Sequence, residues 1–255
     1  VSRKNRRQAR RNGTRFSKRF VRFAILAVFV LLSFYCFSQS PFFALAQINV
    51  QGNRALSAQV IADLAGVLQG TNLFDIDLKQ VEKRLLTHPL IEKVDVRKNW
   101  PDKLTITVSE REPCALLLTS DCILVVDENG ICLDKVRSLS SYRSYPIITG
   151  VNPLSLSPGE RVSNDLVFLD VLDVLQDEAC QDSLSEVNIA DRNNIVAYSR
   201  EGIPIFLGNT MDLPDKLNSA LALIRSIAPS QKIAYVDVRV LEKPVVKEKN
   251  ENLKN

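Results

Sequence analysis

Residues 23–37 are apolar throughout except for Ser33, and no Lys or Arg follows them until Arg54. Ten basic residues precede them, Arg3, Lys4, Arg6, Arg7, Arg10, Arg11, Arg15, Lys18, Arg19 and Arg22, with no acid among them. Counted from Phe20 to Ser40, the stretch makes a helix of about 31 Å, which matches the hydrocarbon thickness of a bilayer. Arg22 can snorkel from one end of it. Lys and Arg beside a membrane helix stay on the cytoplasmic side. The pattern therefore predicts a basic cytoplasmic tail at 1–22, a transmembrane helix at 23–40, and everything from Pro41 onward outside. A cleavable signal peptide is the competing reading, because Ala44-Leu45-Ala46 has the small-x-small form of a cleavage site. The long basic region speaks against it, as does the short lead-in that a cut after Ala46 would leave to the first strand.

The basic segment also bears on partners. The chain's net charge of +4 hides a division, since removing those ten residues leaves 23 basic against 29 acidic ones. With no base-reading or aromatic-interleaved motif nearby, the segment reads as a topology signal attracted to anionic lipid, and nucleic acid is not an expected partner. Of the five cysteines, Cys36 lies in the apolar run, while Cys114, Cys122, Cys132 and Cys180 fall outside it. Four cysteines in an oxidising exterior permit three full pairings. Their spacing matches no disulfide framework, and both bridged and free thiols stay open. One histidine and no closely spaced cysteine pair give no expected metal site, and no cofactor is expected.

Beyond residue 45 the text breaks into short punctuated elements. Ile48 and Val50 alternate in a strand that ends at Gly52-Asn53, and Ser57 caps a helix at 58–65 with Val60, Ile61 and Leu64 on one face. Asp77 caps a second helix over 78–87, with Leu78, Val81 and Leu85 as its buried stripe and Pro89 beyond its end. Val94 and Val96, then Leu104, Ile106 and Val108, alternate on either side of Asn99-Trp100-Pro101-Asp102 as an antiparallel hairpin. This is a small β-α-α-β-β module at 45–113.

A second, strand-rich domain is expected at 114–247. Strands are predicted at 115–118, 122–126, 130–133, 187–189, 195–198, 203–207 and 234–240, with an extended segment at 145–148. Two helices cover them, one at 164–176 capped by Ser163 with Phe168, Val171, Leu172 and Leu175 inward, and one at 213–227 capped by Asp212. The fold class is α+β, with an open antiparallel sheet in the second domain. A polar tail at 248–255 is expected to be disordered.

The motifs of the first module resemble a POTRA domain, and with their flanks the FtsQ/DivIB family of bacterial cell-division proteins. They are Val50-x-Gly52-Asn53, Gly70-x-Asn72-Leu73-Phe74-x-x-Asp77, Glu82-x-x-Leu85, Pro89-x-Ile91-x-x-Val94-x-Val96 and Trp100-Pro101-x-x-Leu104-x-Ile106-x-Val108-x-Glu110-Arg111-x-Pro113-x-Ala115. The second domain adds Val126-Asp127-Glu128-Asn129-Gly130, Pro146-Ile147-Ile148-x-Gly150, Leu207-Gly208 and Val236-Asp237-Val238-Arg239. The resemblance implies a non-enzymatic bitopic scaffold of the inner membrane at the division septum. It further implies binding of an FtsB/FtsL-like pair through a sheet edge, with other divisome components meeting the POTRA domain and the membrane helix. By position it assigns partner binding to Arg239, Val240, Leu241, Val245 and Val246, with Arg239 a candidate for pairing to a partner carboxylate. An open sheet ending in the 234–240 strand would offer its unpaired backbone groups to an incoming strand, although Pro244 donates no ladder bond and fits only an edge or a strand end.

No catalytic constellation stands out. His88 directly precedes Pro89 at a helix end, the acid pairs Asp182/Glu186 and Glu110/Glu112 lie on polar segments, and Gly150 to Gly159 has the wrong spacing for a phosphate loop. The alternative function is a POTRA-bearing component of polypeptide transport or outer-membrane assembly, whose relatives carry repeated POTRA units or a β-barrel.

Overall fold

The computed structural model describes residues 18–227 and 233–249, so most of the basic tail and the last residues of the polar tail lie outside the described residues. Helix α1 (Lys18–Ser38) carries the apolar run, and its Phe20–Ser38 stretch is long and apolar enough to cross a bilayer. A single turn at Pro41–Phe43, capped by Ser40, links it to the first module.

In that module β1 (Gln47–Gln51), α2 (Ala58–Ala65), α3 (Leu78–Leu85), β2 (Ile91–Asn99) and β3 (Lys103–Glu110) follow in the expected order. The three strands form one sheet in the order β1-β3-β2. β2 and β3 make the antiparallel hairpin, with Val96 opposite Ile106, while β1 joins β3 in parallel, with Val50 beside Ile106. Both caps are present, since the Ser57 hydroxyl accepts from Val60 N at 3.3 Å and the Asp77 carboxylate accepts from Lys79 N at 3.1 Å. Ile61, Ala65, Leu73, Val81, Leu85, Leu104 and Ile106 fill the core between helices and sheet. One residue departs from the predicted stripe: Val60 is exposed, and Ala65 takes the inward place one turn beyond Ile61.

The second domain is built on a nine-stranded sheet. Its strands are β4 (Ala115–Leu118), β5 (Ile123–Val126), β6 (Cys132–Val136), β7 (Ile147–Thr149), β8 (Leu184–Asn188), β9 (Ile195–Ser199), β10 (Pro204–Gly208), β11 (Ile233–Asp237) and β12 (Val245–Glu248). Their spatial order is β12-β11-β10-β9-β8-β7-β4-β5-β6. The sheet is open and mostly antiparallel, but the β4/β7, β7/β8 and β10/β11 joints are parallel. The reason is connectivity: two of these joints span helices that return the chain to the end it left. Helices α4 (Leu166–Val174) and α5 (Glu178–Ser183) lie between β7 and β8, and α6 (Leu213–Ser226) lies between β10 and β11.

The stripe of Phe168, Val171, Leu172 and Leu175 is buried as predicted, although Asp165 rather than Ser163 caps α4, its carboxylate accepting from Val167 N at 3.1 Å. Ser163 instead accepts from Asp165 N. Helix α5, unassigned from the sequence, is a short segment capped by Asp177 that buries Cys180. Asp212 stands at the start of α6 with φ 55° and makes no side-chain cap. Gly150, with φ 87°, allows β7 and β8 to close up, because a Cβ there would lie 2.3 Å from Ala190 N. The four cysteines that follow α1 in the chain are free thiols and all are buried.

Candidate protein-docking edge

The border of the large sheet differs from the predicted one. The strand expected at 234–240 stops at Asp237, the chain turns through Val238–Pro244, and β12 then pairs antiparallel with β11. The border that the sequence reading placed on the 234–240 strand is thus covered by the chain itself, and β12 is the outermost strand at that end. Val245 to Glu248, for which no strand was expected and of which Glu248 opens the tail expected to be disordered, are strand residues. Pro244 stands immediately before β12, where its missing N–H costs no ladder bond.

Alternation along the last three strands sorts their side chains by face. Ile205, Leu207, Val236 and Val238 are buried in the core beneath the helices, and Val246, opposite Val236, packs against that core. Phe206, Tyr235 and Asp237 take the alternate positions, with Asp237 beside both Phe206 and Val245 and Tyr235 beside Lys247. The Phe206 and Tyr235 rings meet edge to face at 5.6 Å, and the Lys247 amine lies 5.7 Å from the Tyr235 ring centre. Val245 and Val240 are exposed at 52% and 59%, so two apolar side chains flank the border without cover.

Arg239 is already engaged. Its Nε donates to both Asp237 carboxylate oxygens at 3.0 and 3.1 Å, its Nη2 donates to Oδ2 at 2.6 Å, and its backbone N–H donates to Oδ1 at 3.1 Å. The guanidinium also lies 5.9 Å above the Phe206 ring. The fork holds the Asp237 carboxyl below the ordinary carboxylate range, and the carboxylate in turn holds Arg239 further into its charged form. Arg239 therefore braces the turn between β11 and β12 from within the chain. It brings together Asp237, Phe206 and, through register, Val245. Val240 and Leu241 sit in the turn itself, where the Val240 carbonyl accepts from Lys243 N at 3.1 Å. Sequence reasoning missed Phe206, Tyr235, Asp237 and Lys247. The signal for Phe206, Tyr235 and Asp237 was the period-two alternation of β10 and β11, while Lys247 lies on β12, for which no strand was expected.

Elsewhere the candidate groups stay apart from any such convergence. His88 accepts from Leu90 N at 3.3 Å, closing the end of α3, and Glu110 caps the turn that follows β1 by accepting from Ala55 N at 2.7 Å. Among the described residues no three His, Cys, Asp or Glu side chains gather in a way that could hold a metal ion.

Residues 43–111 match the family model described as POTRA domain, FtsQ-type, and residues 118–239 match that of cell division protein FtsQ/DivIB, C-terminal. The cell division protein FtsQ of Geobacter sp. (strain M21) is 30% identical over 217 residues, which cover 82% of this chain and 78% of that protein. The chain belongs to the FtsQ/DivIB family. Cell division protein FtsQ of Syntrophotalea carbinolica is 29% identical over 240 residues, covering 88% of this chain and 82% of that one. Cell division protein DivIB of Clostridium acetobutylicum is 24% identical over 207 residues, covering 80% and 83% respectively. The FtsQ/DivIB C-terminal match closes at Arg239, so the brace on Asp237 lies within the matched stretch and β12 lies past it.

Proposed function

We propose that this FtsQ/DivIB chain is a non-enzymatic, single-pass scaffold of the bacterial division machinery, with its amino terminus in the cytoplasm and both folded modules outside. The basic residues before α1 support that orientation. Retention of α1 is supported by the way Ala44-Leu45-Ala46 is built into the first module: Leu45 is buried, its N–H donates to Thr71 O at 2.8 Å, and Ala46 N donates to Asp102 O at 2.8 Å.

The observation that carries the docking reading is the outer edge of β12. An outermost strand presents every second N–H and C=O to solvent, and an extended segment can satisfy them by adding a strand. Arg239, Val240, Leu241, Val245 and Val246 frame this edge, Val245 and Val240 as apolar contacts and Arg239 through its hold on the turn. Three guanidinium N–H groups beyond those given to Asp237 leave Arg239 able to take a partner carboxylate as well. The occupant proposed is a strand from an FtsB/FtsL-like bitopic pair, with other divisome proteins meeting the POTRA module and α1. Depleting the protein tests the cellular role. Filaments with segregated chromosomes are expected, and normal septation on depletion would reject it.

A further inference from the structure

Three separate segments bring aromatic rings to the outer end of α1. Phe42 comes from the turn at Pro41–Phe43, Phe74 from the turn at Leu73–Asp75, and Trp100 from the loop between β2 and β3. Phe43, only 8% exposed, is the hub, with ring centres 5.2 Å from Phe37 of α1, 5.2 Å from Phe42, 5.1 Å from Phe74 and 5.8 Å from Trp100. Phe74 and Trp100 are 4.6 Å apart. The Asn72 amide adds a polar tie, donating to the Ser38 carbonyl at the end of α1 at 2.6 Å and so satisfying one of the helix's terminal acceptors. The first module is thereby packed onto the helix end and not hung from a free linker.

The outward members of this cluster are nevertheless uncovered: Phe42 is 60% exposed, Trp100 51% and Phe74 44%. Three large rings left to water is an unfavourable arrangement for a module that otherwise has a complete core. Their position supplies the cover. A spanning α1 ends at Ser38, so rings in contact with that end stand at the level of lipid headgroups, where Trp with its apolar ring and single N–H is favoured. We propose that the POTRA module rests on the outer surface of the bilayer through Phe42, Phe74 and Trp100, with Phe43 and Asn72 transmitting the tilt of α1 to the module. The occupant of the patch is the headgroup and upper acyl region of the lipid. This inference rests on α1 spanning the membrane.

Trp100 is the chain's single tryptophan and is therefore its own reporter. The full chain is reconstituted in phosphatidylcholine and phosphatidylglycerol vesicles whose acyl chains carry bromine either near the headgroup or near the tail end. Shallow bromine is expected to remove much of the Trp100 emission, deep bromine little, and aqueous iodide little. Phe42→Ser with Phe74→Ser is expected to restore emission in shallow-bromine vesicles and to open Trp100 to iodide. Resistance to alkaline carbonate extraction reports the span of α1 by itself. A carbonate-resistant chain whose Trp100 is quenched by iodide and not by shallow bromine would overturn the docking. Equal bromine quenching in the unmodified chain and the double variant would also overturn it, as the mark of tethering alone. Release of the chain by carbonate would remove the spanning reading and the docking with it.

Discussion

Arg111 and Asp127 join the two modules: Nη1 of the guanidinium lies 2.7 Å from Oδ2 of a carboxylate whose side chain is only 3% exposed. The other carboxylate oxygen accepts from Asn129 N at 3.0 Å and Ile131 N at 2.7 Å, so Asp127 also holds the turn between β5 and β6. Removing Arg111 leaves a buried charge with only backbone donors. Breaking such a pair costs on the order of 3 kcal/mol. Arg111→Ala is expected to lower the thermal midpoint of the chain in detergent by several degrees. Asp127→Asn, which can keep the turn's acceptor but not the charge, is expected to cost less. Equal, negligible shifts would show that the junction does not depend on the pair.

The buried thiols give a second expectation. Burial pushes Cys114 up to about 12 and Cys132 up to about 11, and it raises Cys180 as well. At pH 8 these thiols are neutral and enclosed, so maleimide is expected to label them only after unfolding. The sign for stability follows. With folded values raised above the ordinary thiol value of 9.0, the folded state is favoured fully below that value. Its advantage is lost as pH rises from there through the folded values, because the unfolded chain ionises first. Urea midpoints are expected to be level between pH 7 and pH 8 as far as these thiols contribute, and to fall above pH 9. Rapid labelling of Cys114, Cys132 or Cys180 in a native Cys36→Ser chain at pH 8 would contradict the burial, since Cys36 is exposed.

What could be read in advance, and what could not, follows from the range of the interactions involved. Alternation and capping are local, so β2, β3 and the Phe168 stripe were legible. So were both members of the Arg111–Asp127 pair, but as separate motifs, since their contact bridges 16 residues. Val60 misled because Val60, Ile61 and Leu64 share one side of a helix too short to bury them all, and Ala65, small enough for close approach, fills the inner place. Strand β12 was hidden because Val245-Val246-Lys247-Glu248 is short and half charged. Its strand state comes from the ladder with β11, a tertiary cause that overrides local preference. The docking residues taken from the resemblance landed on one turn and one strand, but the aromatic face beside them required the register.

The brace on the turn is open to a conservative test. Arg239 grips Asp237 with Nε and Nη2 together, a fork that a lysine amine cannot reproduce. Arg239→Ala is expected to weaken capture of the partner pair by on the order of tenfold, with Arg239→Lys recovering only part of it. Asp237, whose folded value is depressed chiefly by the Arg239 hydrogen bond, contributes stability above its unfolded value, and that contribution is lost as pH falls through the folded one. Amide protection across residues 238–244, taken relative to the intrinsic exchange rate at each pH, is therefore expected to fall in acid, and to be low already at neutral pH in Arg239→Ala. Full recovery by lysine would assign Arg239 a simple charge role.

The two valines that begin β12 separate docking from folding. Val246 lies opposite Val236 and packs on the core, whereas Val245 lies opposite Asp237 and is half exposed on the other face. A charge at Val246 is expected to detach β12 and lower stability by about 1–3 kcal/mol, as burial of an unpartnered polar group does. A charge at Val245 stays largely in solvent when the chain is free, but a carboxylate there faces Asp237 across the ladder, so Val245→Glu is expected to lower the thermal midpoint by a few degrees at most, less than a charge at Val246 does. If a partner strand covers that side, the same change places a carboxylate against it and is expected to cut capture by on the order of tenfold, about 1.4 kcal/mol. Capture measured with Val245→Glu and stability measured with Val246→Asp thus read different events. Undiminished capture with Val245→Glu, in a chain whose β12 still exchanges slowly, would move the partner to another border of the sheet.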